Sequence, residues 1–157
     1  MMILVTGGMG YIGSHTVVEL LNLNYEVVVV DNLSNSSILV KDRIKKITNK
    51  DFKFYNVDVT DKESLKKVFE ENKIDSIIHF AAFKAVGESV EKPLEYYENN
   101  LVGALVVFEL MKEFNVNNFV FSSSATVYGK PKSCPIKEDF SLSTTNPYGA
   151  TKLMIED

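Results

Sequence analysis

Three observations on this 157-residue chain predict an α/β fold, a doubly wound parallel sheet with helices on both faces. Apolar runs of strand length recur along it, helical patterns separate them, and a glycine-rich turn joins the first run to the first helix. The runs are Met2–Val5, Tyr25–Val30, Phe52–Val57, Ile74–Phe80 and Asn118–Ser122. Each is nearly continuous in apolar residues, as expected of strands covered on both sides. Strands alternating with helices then imply parallel pairing through right-handed crossovers.

The first helix is predicted from about Tyr11 to Leu23, with Val17, Leu20 and Leu21 on one side. Thr60-Asp61-Lys62-Glu63 reads as a capping box ahead of Leu65, Val68 and Phe69, in a helix ending near Asn72. Pro93 suits a first turn, and after it Leu94, Tyr97, Leu101, Leu105, Phe108 and Met111 keep a helical period, predicting one long helix to about Phe114. Between Ser124 and Pro147 the alternation stops, in a stretch rich in proline, serine and threonine. A surface excursion is expected there, and long loops in compact domains are often functional. A last helix starts at about Tyr148 and reaches Asp157 without a C-cap signal, so we expect the chain to be a fragment of something longer.

Composition narrows the function. Hydrophobic residues make up 45% and charged residues 24%, the balance of a folded globular protein. With 21 acidic and 17 basic side chains interspersed, net charge −4, there is no basic stripe, and nucleic acid is not an expected partner. A single cysteine, Cys134, excludes an intramolecular disulfide and a multi-cysteine metal site. Neither His15 nor His79 has a second ligand at metal spacing, so both read as structural and no metal is expected. Apolar runs such as Val27–Val30 are far short of the about 20 residues that span a bilayer. The N-terminus lacks the basic leader of a signal peptide, and a cytoplasmic location is expected.

Directly after the first strand comes Thr6-Gly7-Gly8-Met9-Gly10-Tyr11-Ile12-Gly13, and a helix follows. In that context Gly7, Gly10 and Gly13 let the backbone turn tightly and approach a pyrophosphate without side chains in the way. The helix N-terminus offers free N–H groups and the positive end of its dipole to the anion. Asp31 closes the second strand near the position, roughly 20 residues on, where an acid bonds the adenosine ribose. It would repel a 2′-phosphate, and with no Arg or Lys from Asp31 to Val40 the expected cofactor is NAD, not NADP.

Tyr148 and Lys152 are four residues apart at the start of the last helix and so project from one face. A phenol of pKa about 10 is a poor base near neutrality, but an adjacent ammonium stabilises the phenolate. Such a pair can take a proton from a sugar hydroxyl while hydride leaves the same carbon. The Ser122-Ser123-Ser124 run ends the fifth strand, and open parallel sheets build their sites at strand C-terminal ends.

Several stretches together resemble the UDP-glucose 4-epimerases, extended short-chain dehydrogenases. They are 6–16 (TGGMGYIGSHT), 31–36 (DNLSNS), 84–90 (KAVGESV), 92–97 (KPLEYY), 121–129 (FSSSATVYG) and 148–152 (YGATK). The resemblance covers essentially the whole chain but only the N-terminal half of that family's usual length. It implies a Rossmann-type NAD-binding domain over residues 1–157, without the C-terminal substrate domain.

The resemblance also implies residue roles. Tyr11 and Ile12 would meet the pyrophosphate through backbone. Asp31, Asn32, Leu33, Ser34, Asn35 and Ser36 would meet the adenosine ribose, and Asp58 with Val59 the adenine edge. Phe80, Ala81, Ala82, Phe83 and Lys84 would line the nicotinamide side, with Asn99 beneath, Ser122 nearby and Lys152 on the ribose. Lys84, Ser124 and Tyr148 would contact the UDP-sugar substrate, Tyr148 as base and Ser124 as proton relay, in an interconversion of UDP-glucose and UDP-galactose through a 4-keto sugar. A homodimer is implied for the complete protein. From the residues alone, Asp58 also fits a strand-end turn residue, Lys84 a solvated surface lysine, and Asn99 a surface or interhelical side chain. Two other functions stay open: a dehydratase or decarboxylase on the same scaffold, and a non-catalytic dinucleotide-binding module. The dehydratases and decarboxylases of this kind usually place an acid after the serine run, where this chain has Ala125-Thr126.

Overall fold

The computed structural model describes residues 1–157, which divide into two compact units. The first comprises Met1–Ala81 and Gly103–Ser122, the second Ala82–Val102 and Ser123–Asp157.

The first unit is a five-stranded sheet in the order β3-β2-β1-β4-β5, every pairing parallel. Its strands are β1 (Met2–Thr6), β2 (Glu26–Val30), β3 (Lys53–Tyr55), β4 (Ser76–His79) and β5 (Asn118–Phe121). Side chains alternate between two cores, as the pleat demands. Leu4, Val28, Val30 and Ile77 face Leu65, Val68 and Phe69 of α3 (Lys62–Glu71) and Val106, Val107 and Leu110 of α6 (Gly103–Glu113). On the other face Ile3, Val5, Val27 and Val29 meet Val17 and Leu21 of α1 (Tyr11–Asn22) and Ile44 of α2 (Leu39–Thr48). Burying an aliphatic side chain on this scale contributes about 1.5–3 kcal/mol each, so the two-sided sheet is where the stability lies. The exposed ion pairs Lys62–Glu109 (2.8 Å) and Lys66–Glu113 (2.5 Å) join α3 to α6 and add little.

Strand order reverses at β1, and the register lays Val30, Thr6, His79 and Phe121 in one row across the sheet. The residues just beyond that row, Gly7, Asp31, Phe80 and Ser122, therefore all leave the sheet at its C-terminal edge.

The second unit gathers around α7 (Pro147–Glu156), which packs against α4 (Val86–Glu91), α5 (Pro93–Tyr97), a π turn (Glu98–Val102) and a 3₁₀ turn (Ala125–Tyr128). Asn146 caps α7 by accepting from the Gly149 amide (2.8 Å), and Pro147 takes the first turn, where its missing N–H costs nothing.

Two sequence expectations need correction. The helix expected to run unbroken from Pro93 to Phe114 is α5, the π turn and α6 in succession. The π turn turns Asn100 inward, where it is 1% exposed and hydrogen-bonded on both ends of its amide, bonds that a uniform 3.6-residue period does not anticipate. The cap of α3 is Asp61, whose carboxylate accepts from the Ser64 amide (3.2 Å), and not Thr60. The Thr60 hydroxyl is engaged instead with Asp58 (2.6 Å).

Candidate functional site

In the first unit the glycine turn is fixed by its surroundings. Gly7 has φ +67°, and a Cβ there would lie 2.7 Å from the Ala81 nitrogen. A Cβ on Gly13 would lie 2.3 Å from the Gly7 carbonyl oxygen. Backbone thus packs on backbone in a close-packed cradle ahead of α1, and a side chain at either position would force the turn apart. The cradle is held by the Gly7 amide donating to Val30 O (2.8 Å) and the Phe80 amide donating to Thr6 O (3.0 Å). The Thr6 hydroxyl bonds His79 Nδ1 at 2.8 Å, so His79, 1% exposed, ties β4 to β1. No side chain caps α1, so its first-turn amides beneath the exposed Tyr11 and Ile12 are suited to an anion.

Asp31, at 7% exposure, brackets this cradle. One carboxylate oxygen accepts from the Met9 amide (2.9 Å), the other from the Leu33 amide (2.9 Å) and the Ser36 hydroxyl (2.8 Å). Asn32 donates to Asp58 (2.7 Å) and accepts from the Ser34 amide (3.0 Å), which joins the ends of the loops after β2 and β3. Burial works to raise the Asp58 pKa, but the hydroxyl and amide of Thr60 and the amide of Asn32 outweigh it and hold the carboxyl below its usual range. Val59 is buried in the core, leaving only its backbone for a ligand. Phe80 and Ala81 are partly buried, one against each core, and the Ser122 amide donates to His79 O (3.2 Å).

In the second unit Tyr148 stands in the first turn of α7 and Lys152 one turn on, 9% and 3% exposed. The Lys152 Nζ lies 5.9 Å from the centroid of the Tyr148 ring. Burial lowers the Lys152 pKa to about 8, which leaves it mostly protonated at neutral pH. Ser124 opens the 3₁₀ turn, its hydroxyl oxygen accepting from the Thr126 amide (3.2 Å) and hydroxyl (2.9 Å). Gly149 lets that turn approach α7, since a Cβ there would already sit 3.1 Å from Thr126 O. Ser123 bonds Glu156 at the far end of α7.

Asn100, which the sequence reading does not single out, joins these parts. Its Oδ1 accepts from the backbone amide of Phe83 (2.8 Å) and from Nδ2 of the Asn99 side chain (2.9 Å). Its Nδ2 donates to Phe83 O (3.1 Å) and Thr151 Oγ1 (3.0 Å), and Thr151 in turn donates to Tyr148 O (2.8 Å). Asn99 is half-buried and Lys84 exposed, between the partly buried Phe83 and the exposed Ala85. The signal in the sequence is Asn99-Asn100 itself, a polar pair inside an otherwise apolar helical period.

Residues 4–157 match the family described as GDP-mannose 4,6 dehydratase. The chain is 61% identical over 156 residues to a UDP-glucose 4-epimerase of Bacillus subtilis, covering 99% of this chain and 46% of that one. With a UDP-glucose 4-epimerase of Haemophilus influenzae it shares 62% over 157 residues, again 99% and 46%. It superposes with TM-score 0.98 and 54% identity on the crystal structure of UDP-glucose 4-epimerase from Bifidobacterium longum in complex with NAD+ and UDP, covering 99% of this chain and 47% of that chain. The chain spans about half the length of the curated relatives it matches.

Proposed function

We propose, for a chain that belongs to the GDP-mannose 4,6 dehydratase family and matches UDP-glucose 4-epimerases along nearly all of its length, that it is the NAD-binding half of an NAD-dependent UDP-glucose 4-epimerase. The observation that carries this reading is the buried Tyr148–Lys152 pair in a protein that also has the glycine cradle. A non-catalytic binding module has no need to hold an ammonium at 3% exposure beside a phenol. A dehydratase is the second reading, favoured by the family's description. Against it, Ser124 is followed by Ala125 and Thr126, neither of them an acid.

The fit to NAD rests on the cradle. Backbone packed too closely for a Cβ at Gly7 or Gly13 gives the tight turn such a loop needs, and the uncapped first-turn amides of α1 favour a pyrophosphate. Gly7, Gly10, Tyr11, Ile12 and Gly13 would hold that group, Asp31 to Ser36 the ribose, and Asp58 with Val59 the adenine. Phe80, Ala81, Ala82, Phe83, Lys84, Asn99 and Ser122 are assigned to the nicotinamide side. When bound, NAD supplies a reversible acceptor for the hydride of sugar C4. Lys152 holds a positive charge beside the Tyr148 ring, and Tyr148 takes the proton from the sugar O4 and returns it. Ser124 relays that hydrogen bond, its oxygen oriented by Thr126.

The substrate assigned is a UDP-sugar and the location cytoplasmic. No helix is long and apolar enough to cross a membrane. The complete protein is read as a homodimer that binds no nucleic acid, which the exposed apolar Val90 and Leu94 and the net charge of −4 support. Calorimetric titration of this chain with NAD+ tests the cofactor, and a coupled UDP-galactose assay on the full-length protein tests the reaction. An absence of NAD+ binding overturns the first, and dehydration of the sugar in place of epimerisation overturns the second.

A further inference from the structure

Lys84 carries an exposed ammonium on a stem of four flexible bonds, so its backbone decides where that charge can reach. The backbone is held on both sides. Before it, the amide and carbonyl of Phe83 are both bonded to Asn100. After it, the amide of Ala85 donates to the hydroxyl oxygen of Tyr96 (3.1 Å). That hydroxyl donates to a carboxylate oxygen of Glu88 (2.8 Å), and the Tyr96 ring packs on Phe83 with centroids 5.5 Å apart. Tyr96 is 1% exposed, so it reaches three points of one short segment, at residues 83, 85 and 88, from inside the second unit.

We propose that Tyr96 is a positioning residue for Lys84: its hydroxyl, aimed by Glu88, fixes the Ala85 amide and with it the place from which Lys84 meets the cofactor and sugar. The role rests on the assignment of Lys84 in the proposed function. A phenol donating to a carboxylate turns its lone pairs away from that partner, and the Ala85 amide uses one of them. Burial, followed by the hydrogen bond to Glu88, pushes the Tyr96 pKa up to about 12, so the group stays a neutral donor through the working range of any assay. Tyr148, in the same unit, has a different neighbour. One phenol is locked to its carboxylate as a fixed strut, while the other lies beside an ammonium.

The test uses this chain with Tyr96→Phe, which keeps the ring and removes the hydroxyl, and with Glu88→Gln, which keeps an acceptor and removes the charge. Hydrogen exchange reads the strut directly. The Ala85 amide should exchange about tenfold faster in Tyr96→Phe and be less affected in Glu88→Gln. Titration reads the consequence. NAD+ affinity should fall about three- to tenfold in Tyr96→Phe, while ADP-ribose, which lacks the nicotinamide, should bind within about twofold of the parent. In a Lys84→Ala background, where NAD+ is already weakened, Tyr96→Phe should add nothing further. Unchanged Ala85 exchange overturns the proposal whatever the ligands do. Equal weakening of NAD+ and ADP-ribose, or additive losses with Lys84→Ala, overturns it in favour of a purely structural role. If Lys84→Ala leaves NAD+ binding intact, the assignment of Lys84 fails and the role of Tyr96 fails with it. If the parent binds neither nucleotide, the cofactor reading is wrong, and the exchange data still report separately on the strut. Should Tyr96→Phe fail to fold, Glu88→Gln carries the same comparison of NAD+ with ADP-ribose, at a smaller amplitude.

Discussion

Lys152 holds its ammonium 5.9 Å from the centre of the Tyr148 ring, and both side chains are buried. A charge taken out of water lowers stability, and the depressed Lys152 pKa, about 8 against a usual 10.5, expresses that cost. In the proposed function the same burial has a use, because an ammonium kept from water exerts a stronger field on the groups beside it.

Lys152→Met should therefore stabilise the chain at pH 7, by about 1–3 kcal/mol, while abolishing any phenol-dependent turnover. The sign follows from linkage. With the folded pKa below the unfolded one, the unfolded state binds more protons between about 8 and 10.5. The parent then gains stability as pH rises through that window, and its deficit against Lys152→Met narrows. Urea unfolding of both proteins at pH 7 and pH 10 measures this, and a parent more stable than the variant at pH 7 contradicts it.

In the full-length protein Tyr148→Phe should lose about 100- to 10,000-fold in turnover with NAD+ binding nearly unchanged. The ring keeps its buried packing in the second unit, and only the oxygen to which the proposed function assigns the proton is removed. Steady-state rates alongside NAD+ titration check the split. A near-normal rate would assign the base elsewhere.

Two glycines offer an internal control on the cradle. Gly13→Ala would drive a methyl to 2.3 Å from the Gly7 carbonyl oxygen, where backbone must move, so a loss of about 2–4 kcal/mol and a weakened NAD+ affinity are expected. A Cβ on Gly87 in α4 meets no atom within 4 Å. There alanine should be neutral or stabilising by up to about 1 kcal/mol. Thermal melts of both variants test the pair together, and equal melting temperatures would show that the cradle is not close-packed.

The sheet was readable because burial on two faces leaves nearly unbroken apolar runs, such as Val27–Val30, that no exposed helix would carry. Helix α2 was not, because only Ile44 and Thr48 of it are buried and the rest of its sequence looks like a solvated loop. The glycine cradle was legible from local spacing, since the backbone demands it at fixed offsets. Asn100 and Tyr96 escaped for the opposite reason. Their partners, Phe83, Ala85 and Thr151, lie at separations that only folding reveals. The break at Glu98–Val102 was hidden by apolar residues that keep a helical period on either side of it.

Asp31 gives the sharpest test of cofactor choice. Three donors, the amides of Met9 and Leu33 and the hydroxyl of Ser36, hold its carboxylate in place, so the charge cannot swing away from an approaching group. At an effective dielectric near 20, two like unit charges 4 Å apart repel by about 4 kcal/mol, and salt reduces this. With no Arg or Lys between Asp31 and Val40 to offset a 2′-phosphate, NAD+ should bind at least about 100-fold more tightly than NADP+. Asp31→Asn removes the charge but also puts a donor where an amide or hydroxyl now donates. NAD+ affinity should then fall several-fold and discrimination against NADP+ shrink to about tenfold or less. Titration of both proteins with both cofactors at two ionic strengths decides it. Equal or tighter NADP+ binding by the parent chain would mean that the fixed carboxylate does not face the ribose, and a discrimination unchanged in Asp31→Asn would mean that shape, not charge, selects the cofactor.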